Sequence, residues 1–313
     1  MMGFAKRHAD PLIPLIGCVL LIGFGALFFP KFLTATYLLQ QVQIAAFLGV
    51  IATGAMVVIL LGQIDLSIPW TLGGAAIIST AMAASGHTAL EVLAIPAGLG
   101  FGLLVGVING VGVAVFRIPA MVWTLSVNAM LLGLAVINTG GFNPKGEASG
   151  LMIAVATKTT LGIPNAALLW LAYGAGVLWL FRRTTFGRAL FAIGNSEKAS
   201  FLSGVNTTRV IFAAFALAGF SSALGGLLLA GYANQAYQSM GDPYLLPAIA
   251  AVVIGGTSIL GGRGSYAGTV AGTLFVTLLT SVLSVFQIDP AWRQILFGAI
   301  IVAMLLTQRR RIM

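Results

Sequence analysis

The chain has 313 residues, of which 59% are hydrophobic and only 7% are charged, against roughly 25% charged residues in an ordinary soluble domain. Sixteen basic and seven acidic side chains are too few to cover the surface of a soluble protein of 32.4 kDa. A mean hydropathy of +1.03 indicates that the remaining surface faces lipid. A soluble globule is therefore excluded, and we predict an all-α, polytopic bundle that forms a single transmembrane domain over residues 1–313.

The net charge of +9 raises the question of a nucleic-acid partner. No basic run is interleaved with aromatic residues, and the cluster Arg309 to Arg311 is typical of a helix end at an anionic cytoplasmic leaflet. We therefore predict contact with membrane lipid and none with nucleic acid. The single cysteine, Cys18, and the two histidines, His8 and His87, predict no metal site, no intrachain disulfide and no cofactor.

Apolar runs of about 17 to 25 residues, the length that crosses a bilayer as a helix, occur ten times along the chain and predict ten spans. The predicted spans run from Pro11 to Phe29, Tyr37 to Leu61, Ile68 to Ala84, Leu90 to Phe116, Pro119 to Ile137, Ile163 to Phe181, Val210 to Gly231, Tyr244 to Leu260, Tyr266 to Phe286 and Ala291 to Thr307.

The basic residues predict the direction of these spans. With the N-terminus inside, the cytoplasmic segments hold twelve of the sixteen Lys and Arg residues, and the outer segments hold four. Because positive residues concentrate in cytoplasmic loops, we predict that both termini and residues 182–209 lie in the cytoplasm. The loop from Asn138 to Gly162 is then predicted outside.

Glycine spacing predicts close helix contacts. Gly102, Gly106 and Gly110 repeat every fourth residue in the fourth span, and Gly268 and Gly272 do so in the ninth. Small residues at this spacing let two helix backbones approach each other where lipid offers no hydrophobic drive for association.

Two segments interrupt the apolar pattern, Gly62 to Ser67 and Gly255 to Ser265. In the first, Asp65 has no Lys or Arg nearby in sequence, and a carboxylate at membrane depth costs about 2.5 kcal/mol or more. Its two interpretations are a cap for the following helix and a contact with the transport pathway. The second contains two glycine pairs. We predict discontinuous helices at both breaks, which approach each other near a pathway between subunits.

Residues 182–209 form the longest charged stretch. The sequence predicts a short helix, a turn at Gly194 and Asn195, and a second helix from Glu197 to Leu202 that Ser196 caps and Gly204 ends. Such an amphipathic pair either rests on lipid headgroups or is gripped by a soluble partner, and the residues alone leave both interpretations open.

Three motifs resemble those of the ribose-type permeases of bacterial ABC importers. Residues 62–67, Gly-Gln-Ile-Asp-Leu-Ser, resemble the Gly-Gly-Ile-Asp-Leu-Ser signature. Phe186 to Val205 resembles the cytoplasmic coupling segment, and Ala248 to Ser265 resembles the block Ala-Val-Val-Leu-Gly-Gly-Thr-Ser-Leu-Gly-Gly-Gly-Arg-Gly-Ser. The similarity runs from about Ile44 to Leu306. Gln63 in place of a glycine, and the stretch 119–126, depart from the family and bear on the substrate.

The resemblance implies a non-catalytic permease subunit, multi-pass in the bacterial inner (plasma) membrane, that imports a monosaccharide or related polyol. Its implied partners are a cytoplasmic ATPase, a periplasmic or extracellular solute-binding protein, and a second permease copy or homologue. The chain has no Gly-x-x-x-x-Gly-Lys-Ser/Thr loop, so ATP must be hydrolysed by another chain. The residues implied in coupling to the ATPase are Phe186, Gly187, Arg188, Ala192, Gly194, Glu197, Ala199 and Gly204, with Glu197 and Arg188 in charged contacts.

Candidate pathway residues are polar side chains at the breaks and within apolar spans, namely Asp65, Ser67, Asn109, Thr124, Asn128, Thr257 and Ser258. The competing interpretation is that each of them ties helices together. Two alternative functions stay open, an ion-coupled secondary transporter and an importer of the same class that carries a nucleoside or another small polar solute. An intramembrane enzyme is disfavoured because no base stands beside a nucleophile within the spans.

Overall fold

The computed structural model describes the backbone of residues 2–309 and the side chains of residues 11–306. The predicted basic cluster Arg309 to Arg311 has side chains outside this part. Thirteen α-helices occur within the described residues: α1 (Met2–Phe28), α2 (Ala35–Leu60), α3 (Ile68–Ala83), α4 (Thr88–Ala114), α5 (Ala120–Thr139), α6 (Gly150–Thr157), α7 (Asn165–Arg183), α8 (Thr185–Asn195), α9 (Glu197–Leu202), α10 (Thr207–Ala233), α11 (Leu245–Ile254), α12 (Tyr266–Val285) and α13 (Pro290–Arg309). Short 3₁₀ turns cover Pro30–Leu33 and Asp242–Tyr244, and strands β1 (Thr159–Thr160) and β2 (Ile163–Pro164) form an antiparallel hairpin.

The centre of the bundle is made by α2 and α10. Helix α2 carries Gln40, Gln41 and Gln43 in its first half, is almost entirely apolar after them, and is buried continuously from Ala45 to Leu60. Helix α10 packs against α2, α3 and α4, and its small residues Ala218, Gly219 and Ser222 are buried. A helical segment that is apolar on every side belongs in the interior of a larger helical assembly, which is where the structure places residues 45–60 of α2.

Each of the ten predicted spans coincides with a helix, which confirms the all-α, polytopic bundle. Within the described residues, six helices are long and apolar enough to cross a membrane, namely α1 from Pro11, α2, α4, α5, α10 and α12. Three shorter apolar segments are α3, Asp242–Ile254 and Pro290–Leu306. Helix α11 ends at Ile254, six residues before its predicted end, because Gly255 and Gly256 stop it. The number of ten spans and the side on which the termini lie stay predictions.

The predicted glycine contacts are confirmed. A methyl group added at Gly102 or Gly106 would overlap backbone oxygens of α10, at Gly219 and Phe215 respectively. In the same way, Gly268 of α12 lies against the carbonyl oxygen of Gly255. Glycine at these positions therefore sets the distance between α4 and α10 and between α12 and the end of α11.

The connections between helices sort to two ends of the bundle. At one end, here called the coupling end, residues 61–67, 115–119, 183–206 and 255–265 contact one another, as the hydrogen bond from Gly262 N to Leu60 O (2.9 Å) illustrates. At the opposite end, Gln238 N donates to Asn143 Oδ1 (3.0 Å), and the rings of Phe29 and Phe286 pack edge to face with centroids 5.8 Å apart. The predicted outer loop, residues 138–162, belongs to this opposite end and contains helix α6.

Candidate functional site

The break between α2 and α3 is built by its own sequence. Gly62 adopts a positive φ of 75°, which ends α2, and Pro69 in the first turn of α3 cannot donate a helical hydrogen bond. Between them, residues 63–67 have no regular secondary structure. Asp65 Oδ1 accepts hydrogen bonds from Ser67 N (2.8 Å) and Ser67 Oγ (2.6 Å), so the carboxylate holds the two residues that lead into α3.

Asp65 is only 3% exposed, and among the described residues no Lys or Arg forms an ion pair with it. Burial raises the pKa of the Asp65 carboxyl, while the two hydrogen bonds from Ser67 lower it. The carboxyl group therefore depends on neutral donors for its stabilisation.

Three helices meet at Asp65 and Ser67. From α4, Asn109 Nδ2 donates to Ser67 Oγ (2.7 Å). From α5, Thr124 Oγ1 accepts from Leu66 N (2.9 Å), and Asn128 Oδ1 accepts from Trp70 N (3.3 Å). Five of the predicted pathway residues, namely Asp65, Ser67, Asn109, Thr124 and Asn128, thus form one polar cluster.

The other two predicted pathway residues lie in the break between α11 and α12 and do not join this cluster. Ser258 N donates to Arg263 O (2.8 Å), which closes the glycine-rich turn. Thr257 is fully buried, and its Oγ1 has no hydrogen-bond partner within the described part of the chain. Five of the seven residues are buried, Asn128 and Ser258 are half-buried, and contact of any of them with solute stays a prediction.

Both breaks contact helix α8 at the coupling end. Gly262 N donates to Leu60 O (2.9 Å), and Asn195 Nδ2 donates to Gly262 O (3.1 Å). A methyl group at Gly194 would overlap both Leu60 O and Gly262 N. We call these four residues, Leu60, Gly194, Asn195 and Gly262, the backbone junction. Through it the two predicted breaks do approach each other.

Helices α8 and α9 form the predicted pair. Thr184 Oγ1 caps α8 by accepting from Gly187 N (3.3 Å), and Ser196 Oγ caps α9 by accepting from Ala199 N (3.2 Å). Gly204 follows α9 with a φ of 83°, as expected for a helix end. The predicted turn at Gly194 is wrong by two residues: Gly194 is helical and faces inward, and the chain turns at extended Ser196.

The exposed face of the pair differs in part from the predicted coupling residues. Arg188, Ala192, Ala199 and Gly204 are exposed, Phe186 and Glu197 are half-buried, and Gly187 is buried against the backbone of Phe181. Two apolar residues that the sequence analysis did not select, Phe201 and Leu202, are 64% and 76% exposed. In the sequence, the sign of their exposure is that they form an isolated apolar pair between two serines, Ser200 and Ser203.

Glu197 also has a partner that the sequence analysis missed. Its carboxylate pairs with the guanidinium of Arg117, in the connection between α4 and α5. Arg117 adopts a positive φ of 57°, an uncommon conformation for a residue with a side chain. The ion pair ties the first turn of α9 to the helix that supplies Thr124 and Asn128 to the polar cluster.

A groove of about 540 Å³ separates α8 from the start of α10. Its walls are mainly apolar, and two arginines, Arg188 and Arg209, stand on opposite sides; the other lining residues are Thr185, Phe186, Ala189, Ala192, Val205, Asn206 and Val210. Among the described residues neither arginine forms an ion pair. The coupling end therefore presents an apolar depression with a positive rim.

Comparison with known proteins identifies the class of this chain. Residues 37–305 match the family described as "Branched-chain amino acid transport system / permease component". The ribose import permease protein of Haemophilus influenzae is 31% identical over 297 residues, which cover 93% of this chain and 90% of the relative. That of Bacillus subtilis is 33% identical over 300 residues (95% and 92%), and the autoinducer 2 import system permease protein of Salmonella typhi is 31% identical over 310 residues (99% and 88%). No solved structure matches the chain.

The family match spans every helix of the bundle from α2 to α12 and includes the breaks and the α8–α9 pair. The resemblance to ribose-type permeases that the sequence motifs indicate is confirmed by relatives named for ribose import. Together with six helices long enough to cross a bilayer, the match makes this a multi-pass protein of the bacterial inner membrane. The chain belongs to the family of permease components of branched-chain amino acid transport systems, together with the ribose and autoinducer 2 import permeases.

Proposed function

We propose that the chain is the permease subunit of an ABC importer that moves a monosaccharide or related polyol inward across the inner membrane. It contributes the membrane passage and no catalytic residue, and a separate cytoplasmic ATPase hydrolyses ATP. A solute-binding protein delivers the solute outside, and a second permease copy or homologue completes the passage. Relatives named for ribose and autoinducer 2 import support a polyhydroxylated solute, whereas the family description names branched-chain amino acids.

The observation that carries this proposal is the backbone junction. Helix α8, which starts the coupling segment 182–209, contacts the break before α3 and the break before α12 through Leu60 and Gly262. Main-chain atoms in direct contact leave no flexible side chain to absorb a displacement. A shift of α8 by the ATPase would therefore reach both breaks, and through them the helices on either side of the passage.

The proposed orientation places the coupling end in the cytoplasm, with ten spans and both termini on that side. Three segments that their positive charge predicts to be cytoplasmic, residues 117–118, 182–209 and 261–265, lie at this end together with the first break, residues 62–67, which holds no basic residue. Their meeting supports the proposed topology, because one span too many or too few between any two of them would have put them at opposite ends.

The polar cluster fits a role in holding α3, α4 and α5 together while the break changes shape. Ser67 Oγ joins Asp65 to Asn109, so a movement at residues 62–67 alters hydrogen bonds to a second helix at the same time. We propose that Asp65, Ser67, Asn109, Thr124 and Asn128 border the passage in the assembled pair of permeases, with Thr257 and Ser258 at the other break.

A direct test is transport by purified permease in proteoliposomes, with the ATPase inside and the solute-binding protein outside. Uptake of labelled ribose should require ATP and should persist when ionophores collapse the proton and sodium gradients. The matched control is an ATPase variant that binds ATP without hydrolysing it, which should abolish uptake. Uptake that follows an ion gradient without ATP would instead establish a secondary transporter, and uptake of leucine or of a nucleoside in place of ribose would correct the solute class.

A further inference from the structure

A groove of about 770 Å³ lies at the opposite end of the bundle, between the end of α12 and the start of α13. Its mouth, at the connection between the two helices, is lined by Gln287, Asp289 and the ring of Trp292, which is 65% exposed. About one helical turn further into the bundle, the walls are aliphatic and consist of Leu283, Ile295 and Leu296. The groove is therefore polar at its mouth and apolar along its length.

The connection that forms the mouth is held in place by Arg293. Its guanidinium donates from Nε (3.0 Å) and Nη2 (2.7 Å) to Ile288 O, and from Nη1 (2.8 Å) to Ser284 Oγ. Gln287 turns the chain with a positive φ of 58°. Because a guanidinium has five N–H donors, one N–H on each of Nη1 and Nη2 remains for a further acceptor.

Asp289 and Arg293 are four residues apart, the spacing at which opposite charges pair on a helix, yet they form no ion pair in the part of the chain that the structure describes. Asp289 Oδ1 accepts from Ala291 N (2.7 Å) at the start of α13, while Arg293 folds back onto Ile288. The Oδ2 atom of Asp289 has no partner among the described residues. A negative and a positive group are therefore presented next to each other, and each can still bind a ligand.

An amphiphile fits this groove better than a sugar does. Sugar hydroxyls that lie against Leu283, Ile295 and Leu296 would lose their hydrogen bonds to water without replacement, whereas an acyl chain has none to lose. Trp292 lies at the mouth, and tryptophan is enriched where a membrane meets water. Helix α12 is long and apolar enough to cross a membrane and ends at Val285, which places the mouth at the level of the headgroups.

We propose that the groove between α12 and α13 binds one phospholipid whose headgroup carries a primary amine, as in phosphatidylethanolamine. The ammonium donates to Oδ2 of Asp289, the phosphate accepts from the guanidinium of Arg293, and one acyl chain lies along the aliphatic walls. Charge selects this headgroup, since a choline cannot donate a hydrogen bond to Asp289 and an anionic glycerol headgroup would meet a like charge there. The site goes beyond the proposed function, because it concerns neither the solute nor the ATPase.

The first test is native mass spectrometry of delipidated permease in detergent, titrated separately with phosphatidylethanolamine, phosphatidylcholine and phosphatidylglycerol. The unmodified chain should bind phosphatidylethanolamine about tenfold more tightly than either other lipid, as expected for one hydrogen bond to a charged group. Asp289→Asn keeps the oxygen that caps α13 and should abolish this preference. The matched control is Asp242→Asn, which changes another exposed carboxylate at the same end and should retain it. No preference in the unmodified chain, or an unchanged preference in Asp289→Asn, would overturn the proposal.

The second test locates the lipid within the bundle. Ile295→Trp fills the groove and should weaken binding of phosphatidylethanolamine. Val302→Trp, two turns further along α13, should not weaken it, although the two replaced side chains are similarly exposed (59% and 58%). Arg293→Gln should weaken all three lipids alike, because each of them carries the phosphate. Equal binding by the two tryptophan variants would overturn the proposal, and unchanged binding by Arg293→Gln would contradict the phosphate contact.

Two further measurements examine other occupants of the groove. In a Cys18→Ser background, Ile295→Cys in bilayers that contain phosphatidylethanolamine should form no disulfide-linked dimer on copper-catalysed oxidation, and an efficient dimer would show that a second permease copy covers the groove. Ribose at millimolar concentration should not displace the bound lipid, and displacement would assign the groove to the solute. Either outcome would overturn the proposal. None of these measurements depends on transport, so a failure of the proposed function would leave their results unchanged.

Discussion

Glu197 and Arg117 form an ion pair although 80 residues separate them in sequence. Both side chains are partly exposed, so the pair contributes only about 0–1 kcal/mol to folding stability. Its consequence is geometric, since it joins the coupling segment to the start of α5, the helix whose Thr124 holds the backbone of the first break. The coupling end thus has a side-chain link beside its backbone junction.

We expect exchange of the two charges to separate this link from a general need for charge. Arg117→Glu places two carboxylates side by side, and Glu197→Arg places two guanidinium groups side by side. Because like charges repel, each single variant should lower substrate-stimulated ATP hydrolysis several-fold. The double variant restores an ion pair and should recover most of the coupling. Basal ATP hydrolysis and membrane insertion serve as controls. A double variant no better than the worse single variant would show that the pair has no coupling role.

Gly194 should not tolerate even a methyl group. Alanine in the middle of a helix normally stabilises it by about 1 kcal/mol relative to glycine, but at Gly194 the new methyl would overlap the carbonyl oxygen of Leu60. Gly194→Ala should lower the apparent Tm in detergent by several degrees and reduce coupled transport. The matched control is Gly176→Ala in α7, where the new methyl would meet no atom within 4 Å beyond the neighbouring backbone of its own helix, so that the Tm should hold or rise. Equal behaviour of the two variants would contradict the close contact.

Asp65→Asn tests whether the carboxylate has a role beyond its hydrogen bonds. The amide oxygen can still accept from Ser67 N and Ser67 Oγ, and the substitution removes a buried charge. Because burial raises the pKa of Asp65 above its unfolded value, the wild-type protein loses folding stability as the pH rises and the buried carboxyl has to ionise. The variant should therefore be at least as stable as wild type at neutral pH, and this advantage should disappear as the pH falls and Asp65 is protonated.

Transport is the second readout for Asp65. We expect Asp65→Asn to reduce uptake more than it reduces the amount of folded permease, as the proposed place at the passage requires. Asp65→Ala provides the comparison, since it leaves the Ser67 donors unpaired and should cost about 1–3 kcal/mol of stability. Wild-type uptake by Asp65→Asn would reduce Asp65 to a structural cap for α3.

The sequence predicts the local features of the coupling end better than its contacts. Ser196 and Gly204 mark the ends of α9 because caps depend on neighbours in the chain, and the structure has both. Gly194 looks like a turn residue from sequence, yet it is a packing residue. That role depends on Leu60 and Gly262, which no spacing within residues 182–209 could reveal.

The same limit applies to pairing and to short elements. Arg117 meets Glu197 only because α4 and α10 pack side by side through their glycines. From the sequence alone, several other basic residues were equally suitable partners for Glu197. Helix α6 was hidden in a predicted loop because its eight residues are too few for a span and carry no helical periodicity of charge. The polar residues at the first break were identifiable from sequence, whereas their assembly into one cluster required α3, α4 and α5 in place.

Cysteine labelling from intact cells tests the orientation. In a Cys18→Ser background, Glu147→Cys at the opposite end should react with a membrane-impermeant maleimide, and Lys198→Cys at the coupling end should react only after the membrane is opened. Both residues are exposed, so burial does not limit either reaction, and Lys198 spares the ion pair of Glu197. Labelling of position 198 from outside would reverse the proposed topology.

Main-chain atoms make the backbone junction, and this has a consequence for how such a protein can diverge. The contact of Leu60 O and Gly262 N with the α-carbon of Gly194 excludes a side chain at Gly194. It places no restriction on the polarity of the surrounding side chains. About two thirds of aligned positions differ between this chain and the ribose import permeases. Under the proposed function, side chains along the passage can be exchanged for a new solute while the main-chain contacts that join α8 to both breaks are kept.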